Sequence, residues 1–248
     1  MDHPVGWRGR AEEVTVAVAE SVSDAVGAER TPTTIAEGVF FTTPPALPRG
    51  RHRLSREEVY TKRRERMMIA ATELLAGDGY RNIGVREICA RAGVSLTAFY
   101  EVFSDKDECM FAAFDRFVNV IVGGFAEVHY RSDDWTSIIR HFTLVYLDLL
   151  GRDIVVARAF LVELEPLGRE ARHRNRLAMQ GIAALLEVRR REWAGGVEDD
   201  LESEVFLVVV YALRQLAVDI LDAPNPSFDG CANRWTPWLA RLLPPPTG

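Results

Sequence analysis

The side chains with the clearest chemical purpose lie in the stretch 85–103, VREICARAGVSLTAFYEVF. Its centre, Ala92-Gly93-Val94-Ser95, joins two short helical segments of about two turns each. Glycine at 93 can take the left-handed backbone that ends a helix. Val94 plugs the angle between the segments, and the Ser95 hydroxyl can cap the second one. The N-terminal end of that second helix is then free to face a partner. This is the construction of a helix-turn-helix, whose second helix enters the DNA major groove. A plain αα-corner also uses glycine in its turn, so the turn alone leaves both open.

A DNA contact needs positive charge, and the whole chain carries −6. The charge is unevenly spread. Residues 1–48 carry −4, residues 49–106 carry +4, and residues 107–248 carry −6. The positive block opens with Arg49, Arg51, Arg53 and Arg56 and continues with Lys62, Arg63, Arg64 and Arg66. Such a stripe is the footprint that phosphate binding requires, or else a solvated helix face. Arg51, Arg53 and Arg56 precede the first helix and could reach the minor groove or the backbone.

The elements that must position these residues are helical. Ser55-Arg-Glu-Glu58 has the spacing of a capping box. Met68, Ala71, Leu74 and Leu75 form an apolar stripe behind it, ended by Gly77-Asp-Gly79. After the two short helices, Ser104-Asp105 opens a longer one from Lys106 to about Val128. Further helices are expected near 134–150, 153–165, 168–194, 199–222 and 232–243, with breaks at glycine and proline. No period-2 strand pattern of useful length occurs. Residues 31–48, with four prolines and five threonines, read as irregular. Val14, Val18, Val22 and Val26 mark a possible short helix before them, one that docks, dimerises or frays.

Residues 62–114 resemble the N-terminal domain of the tetracycline-repressor (TetR) family. The resemblance rests on an ordered set: Arg66 through Leu75, Gly79-Tyr80, Ile88-Cys89, Ala92-Gly93-Val94-Ser95, Phe99-Tyr100, Phe103, and Ser104-Asp105-Lys106-Asp107. It covers about fifty residues, and the helical remainder fits only as a class. It implies that Leu96, Thr97 and Ala98 face base edges, with Glu101 further along and Ser95 at the helix start. Tyr100 would place its hydroxyl on a phosphate. Lys106 would add a charge beside a helix N-terminus, and Gly84, Val85 and Arg86 would meet the other strand's phosphates. Tyr80, Phe99 and Phe103 are expected in the core. Two positions depart from the family pattern: Gly84 stands where Ser or Thr is common, and Leu96 is apolar. No Arg, Asn or Gln sits on the recognition helix for bidentate base reading, so shape readout or the basic arm is expected to contribute more.

The acidic C-terminal half would, by the same resemblance, bind an effector and dimerise. Phe117, Phe125, Trp135, Phe142, Tyr146 and Phe160 are candidates to line the effector site. At helical spacing such residues also build plain cores. The segment 204–221, EVFLVVVYALRQLAVDIL, is apolar nearly all round and must be buried on most sides. With Trp235, Trp238, Leu239 and Leu242 in 232–243, it is the expected homodimer interface.

Composition and motifs exclude other classes. The apolar share of 48% and charged share of 27% fit a globular chain, not a disordered or fibrous one. Cys89, Cys109 and Cys231 form no close pair, so a disulfide framework and a zinc cluster are not expected. The five histidines show no metal-ligand spacing, and GxSxG, HExxH and a phosphate-binding glycine loop are missing. No catalytic residue, cofactor or metal is therefore expected. No apolar run approaches the ~18 residues of a membrane span, and Met1 to Arg10 lacks the pattern of a signal peptide. The expected chain is thus all-α and cytoplasmic: an extension over 1–54, a three-helix helix-turn-helix DNA-binding domain over 55–104, and a helical ligand-binding and dimerisation domain over 105–248. The expected partners are a palindromic double-stranded DNA operator, a small apolar or amphipathic effector, and a second copy of the chain. The alternative is a helical DNA- or partner-binding protein without small-molecule control.

Overall fold

In the computed structural model of the chain, which describes residues 34–45, 54–127, 134–195 and 201–245, Ser55 starts the helical part. Its hydroxyl accepts the Glu58 N–H at 3.1 Å, and the Glu58 carboxylate accepts the Ser55 N–H at 2.6 Å. This is the capping box that the spacing predicts. The helix so begun, α1, runs Arg56–Asp78 and buries Met67, Met68, Ala71 and Leu75. A 3-10 turn, Tyr80–Asn82, leads to α2, Val85–Ala92, and α3, Leu96–Tyr100. The stripe at 14–26 and Arg49, Arg51 and Arg53 lie outside the described residues.

The long helix α4, Lys106–Glu127, connects these helices to the rest. It packs on α1 at one end and on α5, Trp135–Arg152, at the other. At 22 residues and a mean hydropathy of 1.4 over its best window, α4 has the length and composition of a membrane span. Asp115 and Arg116 interrupt it, so it holds no unbroken apolar run of about 18 residues. Its apolar side, with Phe114, Phe117, Ile121 and Phe125, is instead buried in the bundle.

Helix α6, Ile154–Leu161, is the hub, packed on α1 and on α8. Six of its eight residues are buried, and the other two, Ile154 and Arg158, are half-buried. It ends before Glu165–Leu167, a 3-10 turn, because Pro166 offers no N–H and restricts the residue before it. Helices α7, Arg169–Ala194, and α8, Ser203–Leu221, pack along each other. They leave Leu177, Val188, Val208 and Tyr211 exposed, with Val208 at 59%. The last helix, α9, Cys231–Leu242, packs on α5 and buries Trp235 and Leu239 there, leaving Leu242 exposed. Within 232–243, Ala232, Trp235, Thr236, Leu239 and Leu243 are therefore spent inside the protomer. Among the described residues there is no strand, only an isolated bridge between Glu37 and Phe41.

Residues 34–45 form no helix, yet they dock on the bundle. A turn closed by the Gly38 N–H to the Phe41 carbonyl, 2.8 Å, aims both phenylalanines inward. Gly38 has φ +79, a conformation that favours glycine. Phe40 and Phe41 are 2% and 1% exposed. Phe40 lies 5.2 Å from the Phe117 ring, and Arg116 lies over the Phe41 ring. The strap's N–H groups at Ile35, Ala36 and Thr42 reach Glu73, Asp153 and Glu65, so one irregular segment ties α1, α4 and the α5–α6 junction together.

Candidate DNA interface and effector cavity

The helix-turn-helix is built as its residue types dictate. Gly84 opens α2 without a capping side chain, and the Glu87 carboxylate accepts its N–H at 2.9 Å instead. A Cβ at 84 would lie 2.7 Å from that carboxylate, so serine or threonine there would displace Glu87. Gly93 has φ 65 and ψ 41, the left-handed cap, and the Val94 N–H returns to the Cys89 carbonyl. The Arg66 guanidinium donates to the Ala92 carbonyl at 2.8 Å, a positive charge at the carboxyl end of α2. The Ser95 hydroxyl accepts the Ala98 N–H at 3.1 Å and starts α3.

On α3 the residues divide by face. Leu96 and Tyr100 are 42% and 59% exposed, and Ser95, Thr97 and Glu101 are exposed beside them. Phe99 is fully buried and supports the Tyr100 ring edge-on at 5.6 Å. Ala98 is 5% exposed and faces the core with Phe99. The expectation that Ala98 faces base edges is therefore corrected: three residues along the helix from Ser95, it sits on the packed side. Phe103 is buried as expected, while Tyr80 is half-buried and donates its hydroxyl to Asp107 at 2.9 Å.

Much of the basic block is engaged by partners within the chain. Arg63 pairs with Glu101 at 2.9 Å, Arg64 lies over the Phe103 ring, and Arg91 pairs with Glu73 at 2.7 Å. Lys106 was expected to offer its charge at a helix N-terminus. Its ammonium instead donates to the Tyr80 and Ile83 carbonyls at 3.2 and 2.8 Å and lies 3.9 Å above the Tyr80 ring. It anchors the 3-10 turn that leads into Gly84. Arg56 and Arg86 are exposed, and Gly84 and Val85 are half-exposed at the start of α2; Arg53 lies outside the described residues.

The six aromatic candidates of the C-terminal half do not form one site. Phe125, Phe142 and Tyr146 line a small apolar cavity of about 20 Å³, with the Phe125 and Phe142 rings stacked at 3.8 Å. Phe117 and Phe160 instead join Phe114 and Phe40 in an aromatic cluster nearer α1. Trp135 packs on Trp193 and Arg190 and donates its indole N–H to the Leu243 carbonyl, which fastens the end of the chain. The far wall of the cavity was not foreseen: Met179 and Ile182 from α7, and Val210, Leu213 and Arg214 from α8. One signal was available, the lone arginine at 214 within the apolar run 204–221. Burial holds the Tyr146 phenol well above its ordinary pKa, with the neighbouring Arg214 charge opposing, so the phenol stays protonated.

This geometry agrees with three comparisons. Residues 68–113 match the family described as bacterial regulatory proteins, tetR family. The HTH-type transcriptional activator FasR of Mycolicibacterium smegmatis is 33% identical over 102 residues, which cover 41% of this chain and 45% of FasR. The chain thus matches less than half the length of that curated relative. Among solved structures, the fatty acid degradation regulator FadR from Bacillus halodurans superposes with a TM-score of 0.58 at 16% identity, covering 73% of this chain and 94% of FadR. A protein of Syntrophomonas wolfei described as a TetR-family transcriptional regulator gives 0.61 at 13% identity, covering 74% and 95%. At such identities the two structures speak for the fold: a helix-turn-helix joined to a helical body. With the Gly93 turn, the Ser95 cap and the matched segment in one place, residues 68–113 of the chain are similar to the tetR family of bacterial regulatory proteins.

Proposed function

We propose that this chain is a ligand-responsive regulator of transcription that binds a palindromic operator as a dimer and leaves it when a small amphipathic molecule fills the cavity between α4, α5, α7 and α8. The observation that carries the reading is the exposed face of α3, where Leu96, Thr97 and Tyr100 project from a helix capped by Ser95. Leu96 meets thymine methyls and Thr97 a base edge. Tyr100, Arg86 and the backbone at Gly84 and Val85 hold phosphates, and Arg56 adds charge at the rim. The apolar residues exposed on α7 and α8 form the two-fold interface, and 204–221 supplies one half of it. The dimer sets two recognition helices about one DNA turn apart, some 34–36 Å. Helix α4 joins the two functions, because Lys106 at one end anchors the turn before α2 and Phe125 near the other lines the cavity. The site of action is the cytoplasm, where the operator is.

The test is a titration of the full chain on DNA from its own gene neighbourhood at several salt concentrations. The expected result is a saturable complex at one sequence, with affinity falling as salt rises. Equal affinity for every sequence would point to an architectural DNA binder instead, and no complex at low salt would end the DNA reading.

A further inference from the structure

We propose that the cavity between α4, α5, α7 and α8 takes a free carboxylate with an apolar tail, its head group held by Arg214 and Tyr146. The assignment rests on reading the helical body as an effector module and names the chemistry of its ligand. Arg214 is 8% exposed in a helix that is otherwise almost wholly apolar. One of its terminal nitrogens donates to the Leu161 carbonyl at 2.9 Å, and its nearest carboxylate, Glu165, is 4.0 Å away with a side chain 72% exposed. Its Nε–H is fully buried and meets no acceptor in the protein. A buried cation with an unmet donor is costly unless an anion comes to it. The other polar group of the cavity is the Tyr146 phenol.

The two groups together define the head. Arg214 only donates, and Tyr146 beside it is a protonated phenol with a hydrogen to give. Two donors, one of them charged, in an apolar chamber match a group that only accepts and carries a negative charge. A carboxylate does so, and its hydrogen bonds with arginine are charge-assisted. A neutral alcohol or ester of the same tail would leave the arginine charge uncompensated. The rest of the wall, Phe125, Phe142, Met179 and Leu213, suits an alkyl or aryl tail. The cavity itself is small, about 20 Å³, so a tail enters by moving these side chains apart, and octanoate serves as the probe.

The experiment compares octanoate with 1-octanol on the purified full chain, by thermal melting and titration calorimetry. Octanoate is expected to raise the melting temperature and to bind at least about tenfold tighter than 1-octanol, the factor that separates a charge-assisted from an unmade head-group contact. Arg214→Gln should remove that preference, Tyr146→Phe should reduce it, and Val210→Phe, which fills the cavity, should abolish binding of both. Equal affinity for acid and alcohol, no binding of octanoate, or octanoate binding that survives Val210→Phe would each overturn the proposal. Should Arg214→Gln fail to fold, the other two variants and the wild-type comparison still decide. DNA binding by the ligand-free chain is measured apart: its presence with any of these failures removes the carboxylate and keeps the regulator, and its absence removes the regulator itself.

Discussion

A five-residue helix offers a partner only one and a half turns, so each position on α3 is settled by its angle about the axis. Leu96 and Tyr100, four apart, share the exposed side, with Thr97 next to them; Ala98 and Phe99 fall on the packed side. Thr97→Ala should therefore change which operator is preferred, whereas Tyr100→Phe should weaken binding to all sequences about five- to tenfold, the loss of one phosphate hydrogen bond. Gel-shift titrations on a panel of single-base operator variants separate the two. A uniform loss for Thr97→Ala would show that it meets a phosphate and not a base. Lys106 has the opposite character. With its ammonium held by the Tyr80 and Ile83 carbonyls, Lys106→Ala should cost about 1–3 kcal/mol of stability in urea melts and leave the salt slope of DNA binding unchanged. A slope reduced by about one at unchanged stability would restore the phosphate contact. Cap and stop residues such as Ser55, Gly93 and Ser95 were legible because their effect is local. The fate of Lys106, Arg63 and Arg66 was not, since each is engaged by a partner more than twenty residues away.

Among the elements, the regular helices were legible in the sequence from their stripes and caps, while the strap at 34–45 was not. It has no periodicity, and its two buried phenylalanines sit among prolines and threonines that read as surface. Its function is set by acceptors elsewhere. Asp153 accepts the Val156 N–H at 3.1 Å through one oxygen, capping α6, and the Ala36 N–H at 2.9 Å through the other. Asp153→Asn keeps one oxygen for the cap and turns the other into a donor that faces the strap's own N–H. It should release the strap at a cost of about 1–3 kcal/mol while α6 stays capped. Limited proteolysis should then cut within 34–45 while the bundle stays intact, and protection equal to wild type would show that Phe40 and Phe41 hold the strap alone. Burial also raises the Asp153 pKa, with its backbone hydrogen bonds opposing. Its contribution to stability is thus greatest below the ordinary aspartate value and is lost as pH rises through the raised one. The capping carboxylates Glu58, Glu108 and Asp134 are shifted down by their serine and backbone hydrogen bonds. Theirs is present at neutral pH and lost in acid, so the two sets oppose each other.

For the whole molecule, the total of −6 hides a division of labour, and the structure redraws it. Several arginines of the +4 segment brace the helix-turn-helix, and because that count already includes Glu73 and Glu101, these pairs leave the segment's net charge unchanged. On the proposed reading, a protomer with a net of only +4 in this segment gains little from phosphates alone, and two-fold repetition would be the means to a stable operator complex. That places weight on the α7–α8 face. Val208, 59% exposed, costs a lone protomer little to change. In a two-fold interface each substitution occurs twice, close to the axis or facing the partner patch. Val208→Glu would bring two carboxylates into an apolar contact, a burial of unpaired charge that opposes association far more than it affects folding. The expected outcome is a protomer with unchanged circular dichroism and melting, a sedimentation coefficient of a monomer, and operator affinity reduced by orders of magnitude because each half-site must be held alone. A Val208→Glu chain that remains dimeric would move the interface off α8, and the remaining exposed apolar residues, Leu144 on α5 and Leu242 on α9, would then be where to look for it.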